Sequence, residues 1–485
     1  MYVISVTIKS DSRSLSGQTD KVSFEIVFLM KLLILIAALA AIQNIEGHYF
    51  EKFKTLRRPI PLDATDPVIL TPLIESGRLE EARNLSRVNH PEFRGIEFYS
   101  GYLQVDKVFD NNLFFYFFPS EGDYLKDPVL LWLQGGPGAP AGYGLFLING
   151  PFIVNKNYSV DLREYRWTKN HSVLYIDNPV GTGFSFTTKN GYAQNQTKVG
   201  EDLYEALLQF FTLFSEIQGN DFCIIGESYA GKYVPAIGYT ILQNNPTADL
   251  KINLKSLATG NGLSDAVHQS NYGDYLYQIG LVDKQTRDIF HEYSSLVSKY
   301  VAEENWYEAT KIFNEQVGNL ISNATAIDSL YNYLQMDPDE EEYWQKYIQE
   351  ELRDPLHIGN TEFNSGPVFD LLYEDICKSV APWIAELLSH YRFLIYSGQV
   401  DVIVAYPLTE NFLQNLNFNA AEEYKRASRE VWSDEEGTVG YYKQAGNLTE
   451  MLIRNAGHMV PVAQPQRAYR MVYNFVRNKP FAESV

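Results

Sequence analysis

The sequence predicts an α/β fold with a mostly parallel central sheet and flanking helices, and three observations lead to this prediction. Continuous apolar runs, typical of strands covered on both faces, recur at 128–133, 172–177, 222–225 and 254–259. Segments with helical spacing alternate with them, at 199–217 and 233–242. The third apolar run also leads into a tight turn with a serine at its apex.

That turn, Gly226-Glu227-Ser228-Tyr229-Ala230, has the pattern of a nucleophile elbow. In such an elbow a sharp strand-to-helix turn raises one serine hydroxyl above the sheet, and bulky residues two positions before or after the serine would clash. Gly226 and Ala230 are both small, although the strict pattern has glycine at the second position. Taken alone, a serine between small residues also fits an ordinary turn. The rest of the chain must therefore supply oxyanion donors, an acid and a base.

The N-terminal region predicts entry into the secretory pathway. A basic start at Met30 and Lys31 precedes a long apolar run and then small and polar residues, so 30–47 is predicted as a signal peptide. Residues 1–29 are polar and unpatterned, and we interpret them as a gene-model extension. A signal anchor over 24–42 is the alternative, but two charged residues interrupt it.

Composition argues against two classes of partner. Lys and Arg number 40 against 60 Asp and Glu, and the net charge of −20 disfavours binding to nucleic acid or to an anionic membrane. Solubility explains this charge most simply, and an acidic working compartment is the second interpretation. We expect no membrane insertion once the signal peptide is cleaved.

Six sequons and two cysteines bear on whether the chain enters the secretory pathway. Several Asn-x-Ser/Thr sites after a signal peptide predict secretory glycosylation, and the candidates are Asn84, Asn157, Asn170, Asn195, Asn323 and Asn447. Cys223 lies inside an apolar run, so we expect a free thiol in the core. Cys377 is the other cysteine. Without a disulfide framework, stability must come from the core.

The remaining elements follow in chain order. Residues 48–90 are predicted to be irregular because prolines break any long element. Alternating patterns at 93–105 and 108–119 predict antiparallel strands with a turn at 110–112. Helix-like segments over 264–372 predict an insertion that caps the sheet, and the acidic stretch 337–352 is interpreted as a solvated helix. The core is thus divided into 91–263 and 373–485, with late strands at 391–397 and 449–455 and a terminal helix at 464–476.

An elbow serine needs an acid and a base from later strand ends, in the order Ser, Asp, His. Asp401 follows the apolar run 393–396, and His458 follows the run 452–454. Catalytic groups in open α/β sheets collect at the carboxyl ends of strands, where both residues fall. Taken alone, His458 also fits a surface loop and Asp401 also fits a helix N-cap.

The chemistry that these residues predict is acyl transfer. A neutral His458 takes the proton from Ser228 as the serine attacks a carbonyl, and then delivers it to the leaving amine. Asp401 holds the imidazole tautomer and stabilises the imidazolium.

The tetrahedral oxyanion also needs preorganised donors. The backbone N–H of Tyr229 is one candidate, because it follows the nucleophile directly. Gly135 and Gly136 can supply the other, since glycine lets a backbone approach the substrate closely. An ordinary turn is the alternative for 135–138, and the elbow with its ordered partners favours the oxyanion interpretation.

Four separated motifs, in this order, resemble the serine carboxypeptidase family: Trp132-Leu133-Gln134-Gly135-Gly136-Pro137-Gly138, Asp177-Asn178-Pro179-Val180-Gly181-Thr182-Gly183-Phe184-Ser185, Gly226-Glu227-Ser228-Tyr229-Ala230-Gly231-Lys232-Tyr233-Val234-Pro235 and Gly457-His458-Met459-Val460-Pro461. The resemblance covers residues 90–480. Gln134 and the segment Gly398-Gln399-Val400-Asp401 look most like the vitellogenic-like branch.

This resemblance implies an α/β-hydrolase fold with a helical cap, with Asp401 as the acid of the triad. It also implies secretion or lysosomal delivery, removal of C-terminal residues from peptides or proteins at acid pH, and no cofactor or metal. Lysosomal against extracellular location stays open, as does formation of a homodimer, which some members of the family show.

The resemblance further implies how a free C-terminal carboxylate is recognised: by the side chain of Gln134, the backbone at Gly135 and the carboxyl of Glu227. A carboxyl and a carboxylate can hydrogen-bond only if they share a proton, which favours low pH. The family commonly has a second glutamate where Ile148 stands here. We therefore expect a working hydrolase with a weakened preference for a free C-terminus.

Two alternatives to a carboxypeptidase stay open. The first is an acyltransferase or esterase that uses the same triad. The second is a non-catalytic secreted relative, such as a venom-type binding protein. The presence of Ser228, Asp401 and His458 argues against the second alternative.

Overall fold

The computed structural model describes residues 58–61, 64–327, 329–335, 343–364 and 366–483. The predicted extension at 1–29 and the predicted signal peptide at 30–47 lie outside these ranges. So does the acidic start of the stretch that was interpreted as a solvated helix, at 337–342.

Most strands of the described chain belong to one sheet. In chain order the strands are β1 (Arg87–Val88), β2 (Phe98–Asp106), β3 (Asn111–Phe118), β4 (Val129–Leu133), β5 (Phe152–Val154), β6 (Val160–Leu162), β7 (Ser172–Ile176), β8 (Phe186–Thr187), β9 (Phe222–Glu227), β10 (Leu254–Gly260), β11 (Arg392–Gly398), β12 (Glu430–Asp434), β13 (Gly437–Ala445) and β14 (Leu448–Ile453). The sheet has the order β1-β2-β3-β7-β4-β9-β10-β11-β14-β13-β12, with β8 beside β3, and β5 and β6 form a separate hairpin.

The centre of the sheet is parallel and its two edges are antiparallel. Strands β7, β4, β9, β10, β11 and β14 all run in one direction. Antiparallel β1, β2 and β3 complete one edge, and β13 and β12 complete the other. The prediction of an α/β fold with a mostly parallel central sheet is confirmed.

Helices and single turns fill the connections. The α-helices are α1 (Thr71–Glu75), α2 (Leu79–Ser86), α3 (Ala141–Tyr143), α4 (Gln196–Leu213), α5 (Ala230–Asn244), α6 (Tyr272–Gln278), α7 (Lys284–Ala302), α8 (Trp306–Glu315), α9 (Ile321–Thr325), α10 (Tyr343–Glu351), α11 (Val368–Leu371), α12 (Ala381–Leu387), α13 (Tyr406–Asn415), α14 (Ala421–Arg426), α15 (Val460–Ala463) and α16 (Pro465–Val476). Turns of 3-10 helix stand at Pro91–Phe93, Trp167–Lys169, Ser215–Ile217 and Tyr373–Asp375, and π-helical turns at Gly144–Ile148 and Gln316–Leu320.

The central strands are buried on both faces, which explains their continuous apolar runs. Leu131 and Ile224 point into a core cluster that contains the apolar residues of α4 and α5. Their neighbours Trp132 and Ile225 point into a second cluster, which contains the apolar residues of α16. Alternate side chains of each strand therefore serve opposite faces of the sheet.

The structure corrects several predicted elements. Residues 48–90 were predicted to be irregular, but they contain α1 and α2. Pro72 lies in the first turn of α1, where a proline is compatible with helix formation, and α2 contains no proline. The turn predicted at 110–112 begins earlier, and Asn111 already belongs to β3, where its amide donates to the Gly191 carbonyl at 2.7 Å. The antiparallel edge formed by β12 and β13 was not predicted.

The interpretation of 337–352 as a solvated helix is wrong for its described part. Helix α10 buries Trp344, Tyr347 and Ile348. The indole of Trp344 stacks on the ring of Phe146, with centroids 5.7 Å apart. Aromatic burial therefore outweighs the acidic composition of this stretch. Within the ranges that the structure describes, every helix is too short or too polar to cross a bilayer.

Candidate active site

The turn after β9 has the geometry of an elbow. Ser228 adopts a φ of +63°, in the left-handed region, between the end of β9 and the start of α5. A Cβ atom at Gly226 would lie 2.6 Å from the Cβ of Ala230 and 2.9 Å from the Leu133 carbonyl oxygen. The glycine before the serine is therefore required by close packing. The strained backbone of Ser228 is held by these surroundings.

The loop after β4 lies directly against this elbow. A Cβ atom at Gly135 would lie 2.5 Å from the backbone nitrogen of Tyr229 and 2.8 Å from the Cβ of Ser228. Gly136 adopts a φ of +110°, which favours glycine. Within the described residues, the N–H groups of Gly136 and Tyr229 make no hydrogen bond to protein. Two backbone donors near the elbow are therefore without a protein acceptor among the described residues.

His458 and Asp401 meet at the carboxyl ends of the neighbouring strands. The Nδ1 atom of His458, after β14, is 2.9 Å from the Oδ2 atom of Asp401, after β11. The two side chains are 3% and 0% exposed. Burial opposes the imidazolium form, but the carboxylate of Asp401 outweighs it, so the pKa of His458 is raised above its usual value.

Asp401 accepts hydrogen bonds from three further donors. The backbone N–H groups of Ile403 and Val404 donate to it at 2.9 and 3.2 Å. Asp401 thus closes a local turn, and the N-cap alternative is wrong, because the next helix, α13, begins only at Tyr406. Asn261, at the end of β10, donates from Nδ2 to Oδ2 at 2.7 Å. Sequence reasoning missed Asn261, although an asparagine and a glycine directly after a core strand were a signal for a residue at the same sheet edge.

Backbone contacts join Ser228 to this group. The Ser228 N–H donates to the Gly260 carbonyl at 2.9 Å, one residue before Asn261. Ser228 Oγ makes no hydrogen bond with any residue that the structure describes, and the Nε2 atom of His458 is buried without a partner there. Catalytic hydrogen bonds are often loose in free enzymes and tighten when substrate binds.

Glu227 occupies a different environment beside the elbow. Its side chain is fully buried, and its Oε1 atom accepts from Nε2 of Gln134 at 3.2 Å. The Oε1 atom of Gln134 in turn accepts from Nε1 of Trp132 at 3.1 Å, which sets the orientation of the amide. The Oε2 atom of Glu227 has no partner among the described residues. Burial raises the pKa of Glu227 to about 7, although His458 and Gln134 oppose this effect.

Ile148 lies in the π-helical turn that packs against the same indole. It is buried in the apolar cluster that contains Trp132. A Cβ atom at Gly144, in the same turn, would overlap the Trp132 ring. The turn therefore adds apolar surface, and no acidic side chain, beside the Trp132 contact to Gln134.

A third buried carboxyl supports the loop after β4. The Asp177 side chain accepts from the backbone N–H groups of Ala141 at 2.7 Å and Phe184 at 2.8 Å. Burial raises the pKa of Asp177 to about 7, against these hydrogen bonds. Asp177 thereby joins the glycine loop after β4 to the loop after β7.

The sequons and cysteines differ in accessibility. Four of the sequon asparagines are exposed: Asn84, Asn157, Asn195 and Asn323. Asn170 and Asn447 are half-buried. The amide of Asn447 donates to the Leu388 carbonyl at 2.9 Å, and the amide oxygen of Asn170 accepts from the Tyr469 hydroxyl. Cys223 and Cys377 are free and buried, which confirms the expected core thiol at Cys223.

Comparison with known proteins gives concordant matches. A family model described as serine carboxypeptidase matches residues 90–478. The venom serine carboxypeptidase of Apis mellifera is 50% identical over 432 residues, covering 86% of this chain and 92% of the relative. The vitellogenic carboxypeptidase of Aedes aegypti is 43% identical over 431 residues, covering 86% and 91%. The probable serine carboxypeptidase CPVL of Homo sapiens is 41% identical over 450 residues, covering 90% and 94%.

Among solved structures, the prohormone-processing carboxypeptidase KEX1(DELTA)P from Saccharomyces cerevisiae matches with a TM-score of 0.69. The match covers 82% of this chain and 95% of that chain, at 23% sequence identity. At this identity the likeness shows a common fold.

Proposed function

The chain belongs to the serine carboxypeptidase family, and we propose that it removes C-terminal residues from peptides by means of Ser228, Asp401 and His458. The observation that carries this proposal is the buried pair of His458 and Asp401 beside the strained Ser228, with the Nε2 atom of His458 free of other partners. Within the family, this arrangement supports an acyl-enzyme mechanism.

In the proposed reaction Ser228 attacks the carbonyl of the last peptide bond while Nε2 of His458 takes the serine proton. Asp401 keeps the proton of the resting imidazole on Nδ1 and stabilises the imidazolium that forms. His458 then protonates the departing amine, and the acyl-enzyme is hydrolysed by water through the same steps in reverse order. Asn261 holds Asp401 in place through its 2.7 Å hydrogen bond.

The oxyanion is proposed to bind between the N–H groups of Gly136 and Tyr229. Both donors are unengaged within the described structure, and the glycine loop packs against the elbow without any intervening side chain. Preorganised backbone donors of this kind stabilise the charge that develops in the transition state.

Glu227, Gln134 and the backbone at Gly135 are proposed to bind the substrate carboxylate. With its pKa raised to about 7, Glu227 carries a proton in acid and can donate it to a carboxylate. Above that pH the two groups repel each other. The proposal therefore places the favoured action on free C-termini on the acid side of neutrality.

We further propose that the preference for a free C-terminus is weaker than in members with two acidic residues, because Ile148 contributes apolar surface. The test is a matched pair of peptides that differ only in a C-terminal acid or amide. At acid pH, where Glu227 is protonated, only a modest excess of kcat/KM for the acid peptide is expected. A large preference for the acid would contradict the proposal. Hydrolysis of esters in preference to both peptides would favour the esterase alternative.

The decisive experiment for the proposed nucleophile is labelling with a fluorophosphonate, which reacts with activated serines. Wild-type protein is expected to be labelled on Ser228, and Ser228→Ala to lose the label. Ser389→Ala, at an exposed helix end, is the matched control and should label as the wild type does. Absence of labelling in the wild-type protein would support a non-catalytic relative.

We propose a secreted glycoprotein, because the chain carries a predicted signal peptide and its relatives include a venom and a vitellogenic carboxypeptidase. Glycans are expected at the exposed sequons Asn84, Asn157, Asn195 and Asn323. A glycan on Asn447 would have to fit beside the half-buried contact of its amide with the Leu388 carbonyl, so we expect no glycan there. Mass spectrometry of protein from the culture medium checks both the secretion of the protein and the positions of its glycans. A glycan at Asn447 or Asn170, or retention of the protein in lysosomes, would contradict them.

A further inference from the structure

A buried polar cluster surrounds the phenol of Tyr229, and no step of the proposed mechanism uses it. Its centre is Asp375, in the 3-10 turn that leads out of the predicted cap. The Oδ2 atom of Asp375 accepts from the Tyr229 hydroxyl at 3.1 Å and from the Gln196 amide at 2.7 Å. The ammonium of Lys232 lies 3.0 Å from the same oxygen. We refer to Asp375, Lys232, Gln196 and Tyr229 as the Asp375 cluster.

The ion pair in this cluster is almost completely withdrawn from water. The side chains of Lys232 and Asp375 are 1% and 4% exposed. Lys232 also donates to the backbone carbonyls of Asp375 and Ile376. Burial lowers the pKa of Lys232, and Asp375 counteracts that effect. A buried pair is weak evidence for stability, because the loss of hydration offsets the attraction between the charges. A role in positioning explains the pair better than a role in stability.

The cluster joins three segments at the elbow. Gln196 is the first residue of α4, and Lys232 lies one helical turn after Ser228 in α5. Asp375 therefore binds the starts of both helices from the side of the predicted cap. Tyr229 is held at two points: its backbone nitrogen packs against Gly135, and its hydroxyl ends at Asp375. Because the hydroxyl is anchored, the backbone of Tyr229, which follows the strained Ser228, has little freedom to change its orientation.

We infer that Asp375, held by Lys232 and Gln196, is a positioning residue that sets the direction of the Tyr229 N–H through the Tyr229 hydroxyl. The inference rests on the proposed function, in which this N–H stabilises the oxyanion. A donor of this kind acts only when it points at the oxyanion, and the oxyanion exists only in the transition state and the tetrahedral intermediate. Loss of the hydroxyl contact should therefore lower kcat and leave KM almost unchanged.

The test is Tyr229→Phe, which removes the hydroxyl and keeps the ring. We expect kcat to fall about tenfold, less than for complete removal of an oxyanion donor, with KM within about twofold of wild type. Rates are expressed per active site titrated with fluorophosphonate, so that unfolded protein is not counted. The matched control is Tyr424→Phe, because Tyr424 is also buried and donates to a carboxylate, that of Glu450, at 2.7 Å. The control should keep a wild-type kcat.

A second variant tests the ion pair itself. Lys232→Met combined with Asp375→Leu replaces the pair by apolar side chains, a change that buried pairs tolerate. Some loss of stability is expected, because the Asp375 and Ile376 carbonyls lose their donor. The folded fraction, counted by fluorophosphonate titration, is expected to show the same loss of kcat as Tyr229→Phe. If Tyr229→Phe and Tyr424→Phe have equal kcat values, or if KM changes instead of kcat, the inference is overturned. Failure of the wild-type protein to label or to cleave would instead refute the proposed function.

Discussion

Asp401 and Glu227 are both fully buried carboxyl groups at the same sheet edge, yet their surroundings differ. Asp401 accepts hydrogen bonds from His458, Asn261 and two backbone N–H groups. Glu227 accepts one hydrogen bond, from Gln134, and its other oxygen is unpartnered among the described residues. The difference in donors matches the two proposed roles, in which Asp401 stabilises a cation and Glu227 carries a proton that it can donate to an anion.

The largest effect is expected from Asp401→Asn, which keeps the shape of the side chain and removes its charge. The imidazole of His458 then loses the group that sets its tautomer and stabilises its cation. We expect kcat to fall by about 10³–10⁴ with a smaller change in KM. Steady-state kinetics on a peptide substrate measures this. A loss of less than tenfold would show that Asp401 is not the acid of the triad.

A smaller loss is expected from Asn261→Ala, which removes one of the four donors to Asp401. Removing one partner of a buried charged group costs about 1–3 kcal/mol, so kcat should fall about 5- to 160-fold. Asn411→Ala, on α13, is a suitable control, because the Asn411 amide also donates a hydrogen bond, but to the backbone carbonyl of His268 and not to Asp401. If both variants lose equal activity, the contact of Asn261 with Asp401 has no special role.

The pH dependence separates Glu227 from the rest of the site. The measured quantity is the kcat/KM of a peptide with a free C-terminal acid divided by the kcat/KM of the matched amide. This ratio should be highest well below pH 7 and should decline as pH rises through the pKa of Glu227, about 7. The titration of His458 affects both substrates and cancels in the ratio. In Glu227→Gln the side-chain amide does not titrate, so the ratio should be independent of pH. A wild-type ratio that rises with pH would refute the assignment.

The smallest expected effect concerns Ile148. Ile148→Glu adds the second acidic group that is common in the family, and it should raise the preference for acid over amide peptides by a few-fold, since burial of a new carboxyl opposes its benefit. Ile148→Val keeps the apolar surface and should leave the preference unchanged. An unchanged preference in Ile148→Glu, with the label still accepted by Ser228, would show that this position does not reach the substrate.

Much of the site could be predicted from sequence because its key residues follow core strands. The apolar runs locate β9, β11 and β14, and the residues that follow parallel strands must meet at one edge of the sheet. Ser228, Asp401 and His458 are in this class. Asn261 escaped notice because its role depends on which strand lies beside β11. Lys232 and Asp375 escaped because 143 positions separate the partners, and no local pattern links them.

The sequence by itself determined the fold class, the family and the identity and order of the candidate catalytic residues, because these depend on short motifs and on periodicity. The tertiary structure alone decided how many donors each buried carboxyl receives, and that α10 is packed against Phe146 rather than solvated. It also decided that Asp375 reaches the hydroxyl of Tyr229. The physical reason is that burial and hydrogen bonding depend on neighbours in space, and packing brings these together from distant parts of the chain.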